Sequence, residues 1–347
     1  MKSVLSIAFT LLFFVSYQPL NAQNADDPGN YMTMVTKAQT EMNQKYMAYM
    51  SAAAHGRRVR KVEKMRQEVL QSIQNCKYNT TDIPYYKGDK TLRQSSIDYI
   101  QLIYNVFNED YGKIVNMEDI AEQSYDEMQA YILLQEKTSE KIHNASTKME
   151  EASKTFAAKY NVKLIDSKSE LSDKMEIAAK LTHYENQVYL LFFKCNWEDN
   201  QMMQAINSKK LNDAEQARNS LIRYAVEGLK GLDTLKSFDG DPSLAVSCRQ
   251  ALEFYKKTAE KEIPKVTDFF LREENFGKIK KAMDSKPAGS RTQADVDAFN
   301  KQVNEMNAAV SAYNAANSQM DISKTQVLND WNKAEKIFAD THMPHYK

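Results

Sequence analysis

Apolar side chains recur at steps of three and four along most of this chain. In the first such segment they are Tyr31, Met34, Val35, Ala38, Met42 and Tyr46. This spacing places them on one face of an α-helix. Comparable stretches continue as far as Phe338, so the pattern predicts a protein built from long amphipathic helices.

The helical pattern is interrupted at a few places that are rich in Gly, Pro and Asn. These are His55-Gly56, the stretches 75–88 and 237–242, and the residues around Pro287. Such residues are typical of turns and loops. Pro264 predicts a kink or an end in a later helix, because proline lacks the N–H of the helical hydrogen bond. The segments between the breaks predict about four long helices in each half of the chain.

The two halves share short matches that follow the same order. They are Asn43-Gln44-Lys45-Tyr46 with Asn186-Gln187-Val188-Tyr189, Gly88-Asp89 with Gly240-Asp241, and Lys154-Thr155-Phe156-Ala157 with Lys336-Ile337-Phe338-Ala339. The offset grows from 143 to 152 and then to 182 residues, which two insertions in the second half explain. The order predicts an ancient internal duplication, with a period far longer than that of a solenoid.

These patterns together predict an all-α fold of two tandem antiparallel helical bundles related by internal duplication. We place helical bundle repeat A at residues 31–167 and repeat B at residues 168–347, after a flexible lead at residues 23–30. The length of the chain also favours two domains over one.

The N-terminus has the three parts of a secretory signal peptide over residues 1–22. Lys2 precedes an apolar run over residues 4–15, Pro19 follows the run, and Ala22 is a small residue at the expected cleavage point before Gln23. A run of about 12 residues is too short to span a bilayer. Since no later stretch is apolar enough to cross a membrane, we expect an exported protein in the periplasm or on the outer surface of a Gram-negative bacterium.

Composition supports long helices and excludes one class of partner. The chain has only 9 Gly and 7 Pro in 347 residues, whereas proteins with many tight turns need more of both. Its 46 basic and 46 acidic side chains balance. A balanced charge gives no electrostatic reason to expect nucleic acid as a partner.

Residues that usually carry catalysis or bind metals do not form a recognisable motif. The spacing of Cys76, Cys195 and Cys248 fits no metal or redox signature, and whether any two form a disulfide stays open. Glu140 and His143 have the Glu-x-x-His spacing of di-iron bundles, but the chain has no second copy. We therefore predict no catalytic residue, no metal, no cofactor and no enzymatic activity.

Two features are candidates for contact with a ligand or partner. The first is the pair of loops Gly88-Asp89 and Gly240-Asp241, where Gly permits a turn and Asp caps the next helix. A paired ligand-contact loop is the alternative interpretation. The second is the basic cluster that includes Arg57, Arg58 and Arg60, which is either a solvated helix start or a contact for an acidic partner or a lipid headgroup.

Several of these features resemble a poorly characterised family of exported or surface proteins of Leptospira and Bacteroidota. The features are the Ala22-Gln23 junction, the helical body, the twin Gly-Asp loops and the C-terminal stretch 339–344. The resemblance implies an envelope location and supplies no known activity. Asp233-Thr234-Leu235 also fits the short pattern of O-glycosylation in exported proteins of Bacteroidota, so Thr234 is a candidate glycosylation site.

We therefore expect a non-enzymatic cell-envelope module whose helical faces bind another envelope protein or a surface component. The alternative is a sensor-like helical bundle that holds a small molecule in a cavity lined by Tyr and Met.

Overall fold

The computed structural model describes residues 26–56, 59–110, 121–164 and 169–346. Over these residues the chain is all-α and has no strand, so the predicted fold class is confirmed. The predicted signal peptide lies outside the described residues. None of the helices in the described part combines the length and the apolar character that a membrane span needs.

The described residues of the first half of the chain form four helices. They are α1 (Pro28–Ala54), α2 (Val59–Asp82), α3 (Thr91–Asn105), which continues into a π-helical turn (Val106–Asp110), and α4 (Tyr125–Lys159). Helix α1 packs against α2, α2 against α3, and α3 against α4. Short connections between packed neighbours are typical of helical hairpins.

The second half follows a similar order and has five helices over its described residues. It contains α5 (Glu170–Asn207), α6 (Leu211–Thr234), α7 (Ser243–Lys257) with a π-helical turn (Thr258–Glu262), α8 (Ile263–Asp284), a 3₁₀ turn (Ala288–Ser290) and α9 (Gln293–His342). Ring contacts join α8 to α9, with centroid distances of 4.3 Å for Phe269–Tyr313 and 5.9 Å for Phe276–Phe299.

The contacts divide the structure into two compact units. Unit 1 takes in the described residues up to Asn186 and those from Ile337 onwards, and unit 2 takes in Gln187–Lys336. These bounds differ from the predicted repeats 31–167 and 168–347. The difference arises because α5 and α9 are continuous helices of 38 and 50 residues that have residues in both units.

The start of α1 and the end of α2 differ from the sequence predictions, and capping or burial explains each. Helix α1 begins inside the predicted flexible lead, because Asp27 accepts a hydrogen bond from the Asn30 N–H at 2.8 Å and proline occupies the first turn. Helix α4 begins at Tyr125, where the Ser124 side chain caps it by accepting a hydrogen bond from the Glu127 N–H at 3.1 Å.

Pro264 lies at a helix boundary, as the sequence predicts, because the α-helical bonding of α7 ends at Lys257. It occupies the first turn of α8, directly after the π-helical turn at Thr258–Glu262. Proline is tolerated in a first helical turn because the N–H that it lacks has no intrahelical partner in an ordinary helix.

The largest difference is that α2 runs to Asp82, whereas residues 75–88 were expected to form a loop. Cys76 and Thr80 lie four residues apart and are both buried, so the inward face of the helix continues through this stretch. The Thr80 hydroxyl donates to the Cys76 carbonyl at 2.8 Å within the same helix. Asn79 therefore does not end the helix.

An aromatic cluster anchors the loop between α2 and α3 in unit 1. The ring centroids of Tyr31, Tyr86 and Phe156 lie 5.2 to 5.4 Å apart. The Tyr86 hydroxyl also donates to the Asp26 carbonyl at 2.8 Å. All three rings are buried, and pairs at this spacing add to the stability that burial provides.

One segment of unit 1 has a counterpart in unit 2, and we call the two the first repeat segment (59–110) and the second repeat segment (211–262). Each contains a helix of 24 described residues, a connecting loop, a helix of 15 residues and a π-helical turn, at a constant offset of 152 residues. The correspondence is one of structure. The ancestral duplication remains a prediction.

Burial follows the same correspondence. Seven core positions of the first repeat segment are buried, and so are the seven residues 152 positions later, namely the pairs Val69/Leu221, Ile73/Ala225, Cys76/Gly228, Leu92/Leu244, Ser96/Cys248, Ile100/Leu252 and Ile103/Tyr255. An ion pair also recurs, between Arg66 and Glu63 at 2.8 Å and between Arg218 and Glu215 at 3.4 Å. The two segments therefore use one packing pattern with different side chains.

Candidate functional site

The twin Gly-Asp loops are tight turns with the same geometry. The two central residues have positive φ in both loops, 49° and 81° at Lys87 and Gly88, and 49° and 80° at Asp239 and Gly240. Glycine reaches such angles without the penalty that a Cβ brings. A Cβ at either glycine would meet no atom within 4 Å, so the angle and not lack of space explains the glycine.

The aspartates of these loops cap the helices that follow. The carboxylate of Asp89 accepts from the Thr91 N–H at 2.9 Å, and that of Asp241 accepts from the Ser243 N–H at 2.8 Å. These bonds satisfy amide groups that have no partner inside the helix. The capping interpretation therefore accounts for both aspartates, and a ligand-contact role is not needed to explain them.

Asp89 makes further contacts within unit 1. Its carboxylate also accepts from Lys159 Nζ at 2.7 Å and from the Tyr160 hydroxyl at 3.1 Å. The Lys159 ammonium and the Thr91 N–H hold the pKa of Asp89 well below its usual range. The carboxylate therefore stays ionised at neutral pH and joins the loop to the end of α4.

The structure describes only one of the three arginines of the basic cluster. Arg57 and Arg58 lie outside the described residues, and Arg60 is exposed in the first turn of α2. Thr234, the predicted glycosylation site, is exposed at the last residue of α6, where its hydroxyl donates to the Gly231 carbonyl at 2.9 Å.

The three cysteines are free and buried. Burial raises the pKa of the Cys76 and Cys195 thiols to about 12 and also raises the pKa of Cys248. Thiols of this kind stay protonated at neutral pH, and a protonated thiol is a poor nucleophile. The geometry therefore gives the cysteines a packing role in the core.

The most distinctive surface is a groove along α2 and α3 that we call the amide–tyrosine groove. Its volume is about 750 Å³, which lies within the range of ligand sites. Helix α2 contributes Gln71, Ile73, Gln74, Asn75, Lys77, Tyr78, Thr81 and Asp82, and helix α3 contributes Gln101 and Tyr104. On the side away from the groove, both helices pack into the core through the buried positions of the first repeat segment.

Hydrogen bonds fix the side chains across this groove. Gln74 Nε2 donates to the Tyr104 hydroxyl at 3.3 Å, and Lys77 Nζ donates to Gln101 Oε1 at 2.5 Å. Along the helices, Gln71 Nε2 donates to Asn75 Oδ1 at 3.1 Å. Each side-chain amide carries two N–H donors and a carbonyl oxygen with two lone pairs, so capacity for a ligand remains even at Gln101, which also donates to Asn105 Oδ1 at 2.7 Å.

The groove combines an exposed ring with little net charge. Tyr78 is 76% exposed, the highest value among the large exposed hydrophobic side chains of the described residues. Lys77 and Asp82 are the charged residues of the lining, and their charges are opposite. Ile73 is fully buried, so the accessible surface consists of amides, tyrosines, a threonine and the pair of opposite charges.

The second repeat segment carries a different surface at the same ten positions. Six of its residues are charged, namely Arg223, Glu227, Lys230, Asp233, Glu253 and Lys256. Ala225 is buried in the place of Ile73, and burial agrees at most of the other positions, whereas Val226 and Leu229 are half-buried where Gln74 and Lys77 are exposed. Ordinary ion pairs form there, such as Arg249–Asp233 at 2.6 Å and Lys194–Glu227 at 3.6 Å. The shared backbone therefore does not require the amide–tyrosine surface.

A second groove in unit 1 brings together residues that the sequence kept apart. It has a volume of about 430 Å³ and includes Glu136, Glu140 and His143 from α4 and His183 from α5. His183 Nδ1 lies 3.6 Å from Glu136 Oε1. The part of the chain that the structure describes contains no group of three or more such residues placed to hold a metal ion, so this groove has no metal-site geometry.

Comparisons with known proteins find no match for this chain, either among protein-family models, among curated proteins or among solved structures.

The amide–tyrosine groove was not predicted, because residues 75–88 were expected to form a loop. A signal was present, since Gln71, Gln74, Asn75 and Tyr78 follow the three-and-four spacing of one helix face. That face is polar, whereas the helices were predicted from the spacing of apolar residues. The structure brings the same residues beside Gln101 and Tyr104 of α3.

Proposed function

We propose that this protein is an exported, non-catalytic binding module of the cell envelope, and that the amide–tyrosine groove is its contact surface. One observation carries the proposal. The same arrangement of helices occurs in both repeat segments, yet only in the first are most of the ten surface positions uncharged, with an exposed tyrosine among them. Exposed aromatic side chains among polar groups are common features of binding surfaces.

The charged surface of the second repeat segment serves as an internal reference. It has the composition that a solvated helix face usually has. If these positions only had to keep the protein soluble, charged residues would serve equally well in the first repeat segment. The amide and tyrosine side chains are therefore better explained by contact with a ligand or partner. The predicted signal peptide supports an envelope location for that contact.

Site-specific photocrosslinking in the producing cells tests this proposal. A benzophenone amino acid is placed at Tyr78 in one variant and at Lys230 in a second, which is the matched position of the second repeat segment. We expect an envelope component to be captured at position 78 and not at position 230. Capture at neither position, or equal capture at both, would contradict the assignment of the groove.

A second candidate function is the binding of a freely diffusing small molecule. The groove volume of about 750 Å³ is the observation that favours it. The groove contains two tyrosines but no methionine, so it matches the expected cavity only in part. Mass spectrometry of the crosslinked chain separates the two candidates, because a metabolite adds a small defined mass and a surface polymer adds a large or dispersed one.

A further inference from the structure

We propose that the ligand of the amide–tyrosine groove is a neutral carbohydrate chain, with a sugar ring stacked on Tyr78 and its hydroxyl groups bound by the side-chain amides. This inference rests on the proposed binding function and names the chemical class of the ligand. It follows from the charge, the hydrogen-bonding groups, the exposed ring and the length of the groove.

The charge of the groove argues against anionic ligands. Lys77 and Asp82 balance each other, and Lys77 Nζ already donates to Gln101 Oε1. Sites for phosphate or nucleic acid place several Arg or Lys side chains around the ligand, because the binding is mainly electrostatic. The groove lacks such a set of cations in its lining.

The hydrogen-bonding groups suit hydroxyl groups. A hydroxyl both donates and accepts, and so does the amide of Gln71, Gln74, Asn75 or Gln101. The bonds from Gln71 to Asn75 and from Gln74 to Tyr104 hold these side chains in place before a ligand arrives. Groups fixed in advance lose less entropy on binding.

The exposed ring suits the less polar face of a sugar. The face of an aromatic ring is electron-rich and attracts polarised hydrogens, such as those on the carbons of a sugar ring. Tyr78 is 76% exposed, so its ring can receive such a face. A purely apolar ligand fits poorly, because Ile73 is the one aliphatic residue of the lining and it is fully buried.

The groove is longer than one sugar ring. Its lining on α2 runs from Gln71 to Asp82. At a rise of 1.5 Å per residue this stretch covers about 16 Å. The length favours an oligosaccharide or a segment of a polysaccharide over a monosaccharide.

The test uses the mature chain and two sets of neutral oligosaccharides. One set is released from the polysaccharide of the producing cell's own envelope, and the other is released from its glycoproteins. Binding is measured by titration calorimetry for the wild type and for Tyr78→Ala, Tyr78→Phe and Lys230→Ala. The set that binds identifies the source of the sugar.

We expect binding of at least one set, weakened about tenfold by Tyr78→Ala. Tyr78→Phe keeps the ring and should weaken binding less than Tyr78→Ala, and Lys230→Ala should not change it. Failure of both sets to bind, or equal binding by the wild type and Tyr78→Ala, overturns the carbohydrate assignment.

The photocrosslinking experiment keeps this failure distinct from failure of the proposed function. An adduct at position 78 that is digested by protease and resists periodate shows a protein ligand. That result overturns the carbohydrate class and leaves the binding function standing. Absence of any adduct, together with absence of sugar binding, overturns both.

Discussion

The first and second repeat segments show how one scaffold can carry two different surfaces. Their helices end, turn and continue at a constant offset of 152 residues, and the seven core pairs are buried in both. Few of the buried side chains are identical, yet each set fills its core. On the outside, Tyr78 and Tyr104 of the first segment correspond to Lys230 and Lys256 of the second. Packing therefore constrains where side chains are buried, and leaves the outer face open to other requirements.

The largest effect is expected where the two segments agree, in their cores. Ile100 and Leu252 are fully buried at corresponding positions. We expect Ile100→Ala and Leu252→Ala each to lower the free energy of unfolding by about 2–5 kcal/mol, because each leaves a cavity. Urea denaturation followed by circular dichroism measures the loss. A change below about 1 kcal/mol for either variant would show that its segment is not packed as described.

The capping aspartates test whether the two Gly-Asp loops have the same structural role. We expect Asp89→Ala and Asp241→Ala each to lower the free energy of unfolding by about 0.5–2 kcal/mol, because each removes the acceptor for the first amide of the next helix. Denaturation curves of both variants give the values. Asp98→Ala, in the exposed middle of α3, serves as a control away from the cap. A cap variant no less stable than this control would contradict the shared role.

The acid dependence of Asp89 provides a further test of that loop. Its pKa is lowered in the folded protein, so it binds protons less readily there than in the unfolded chain, where the usual value is 3.8. Its contribution to stability is therefore complete above that value and is lost as the pH falls further. The difference in unfolding free energy between the wild type and Asp89→Asn should be constant from pH 7 to 5 and shrink below pH 4. A difference that grows in acid would have the wrong sign.

The loop glycines should respond alike, because their φ angles are nearly equal. We expect Gly88→Ala and Gly240→Ala each to destabilise the protein by about 1 kcal/mol, since a Cβ is strained at positive φ. Gly277 is a matched control, because it lies in α8 with open space around it and its φ is not positive. Gly277→Ala should stabilise the protein slightly. Thermal melting of the three variants measures these effects.

The smallest effect on stability is expected at the groove itself. We consider five single changes, each to the residue at the corresponding position of the second segment. They are Gln71→Arg, Asn75→Glu, Tyr78→Lys, Gln101→Glu and Tyr104→Lys. Since the corresponding positions already carry these residues on the same backbone, each single change should alter stability by no more than about 0.5 kcal/mol. Denaturation of the single variants tests this. A large loss would show that the groove residues serve the fold rather than a ligand.

The sequence was sufficient to predict the helical fold and the turns, and it was less informative about ends and surfaces. Apolar spacing identified α1 and the two Gly-Asp loops, because buried faces and turn residues leave local signals. It did not show that α2 continues through Asn79, since the buried Thr80 that supports this stretch is polar. Unit boundaries inside α5 and α9 depend on tertiary contacts that no local pattern records.

The candidate site was the part least accessible to sequence analysis. Gly88 and Asp89 attracted attention because they recur, and the structure explains them by φ and capping. The amides of Gln71 and Gln74 do not recur, and their meaning depends on Tyr104 of another helix. Repetition identified the residues that the scaffold needs. The difference between the repeats identified the surface that we assign to function.

Hydrogen–deuterium exchange with added envelope extract tests this assignment most directly, because both segments report in one sample. Peptides covering residues 71–82 and 223–234 occupy corresponding positions and can be followed together. We expect the extract to slow exchange in residues 71–82 and to leave the exchange of residues 223–234 unchanged. Slowing in both peptides, in neither, or in residues 223–234 alone would contradict it.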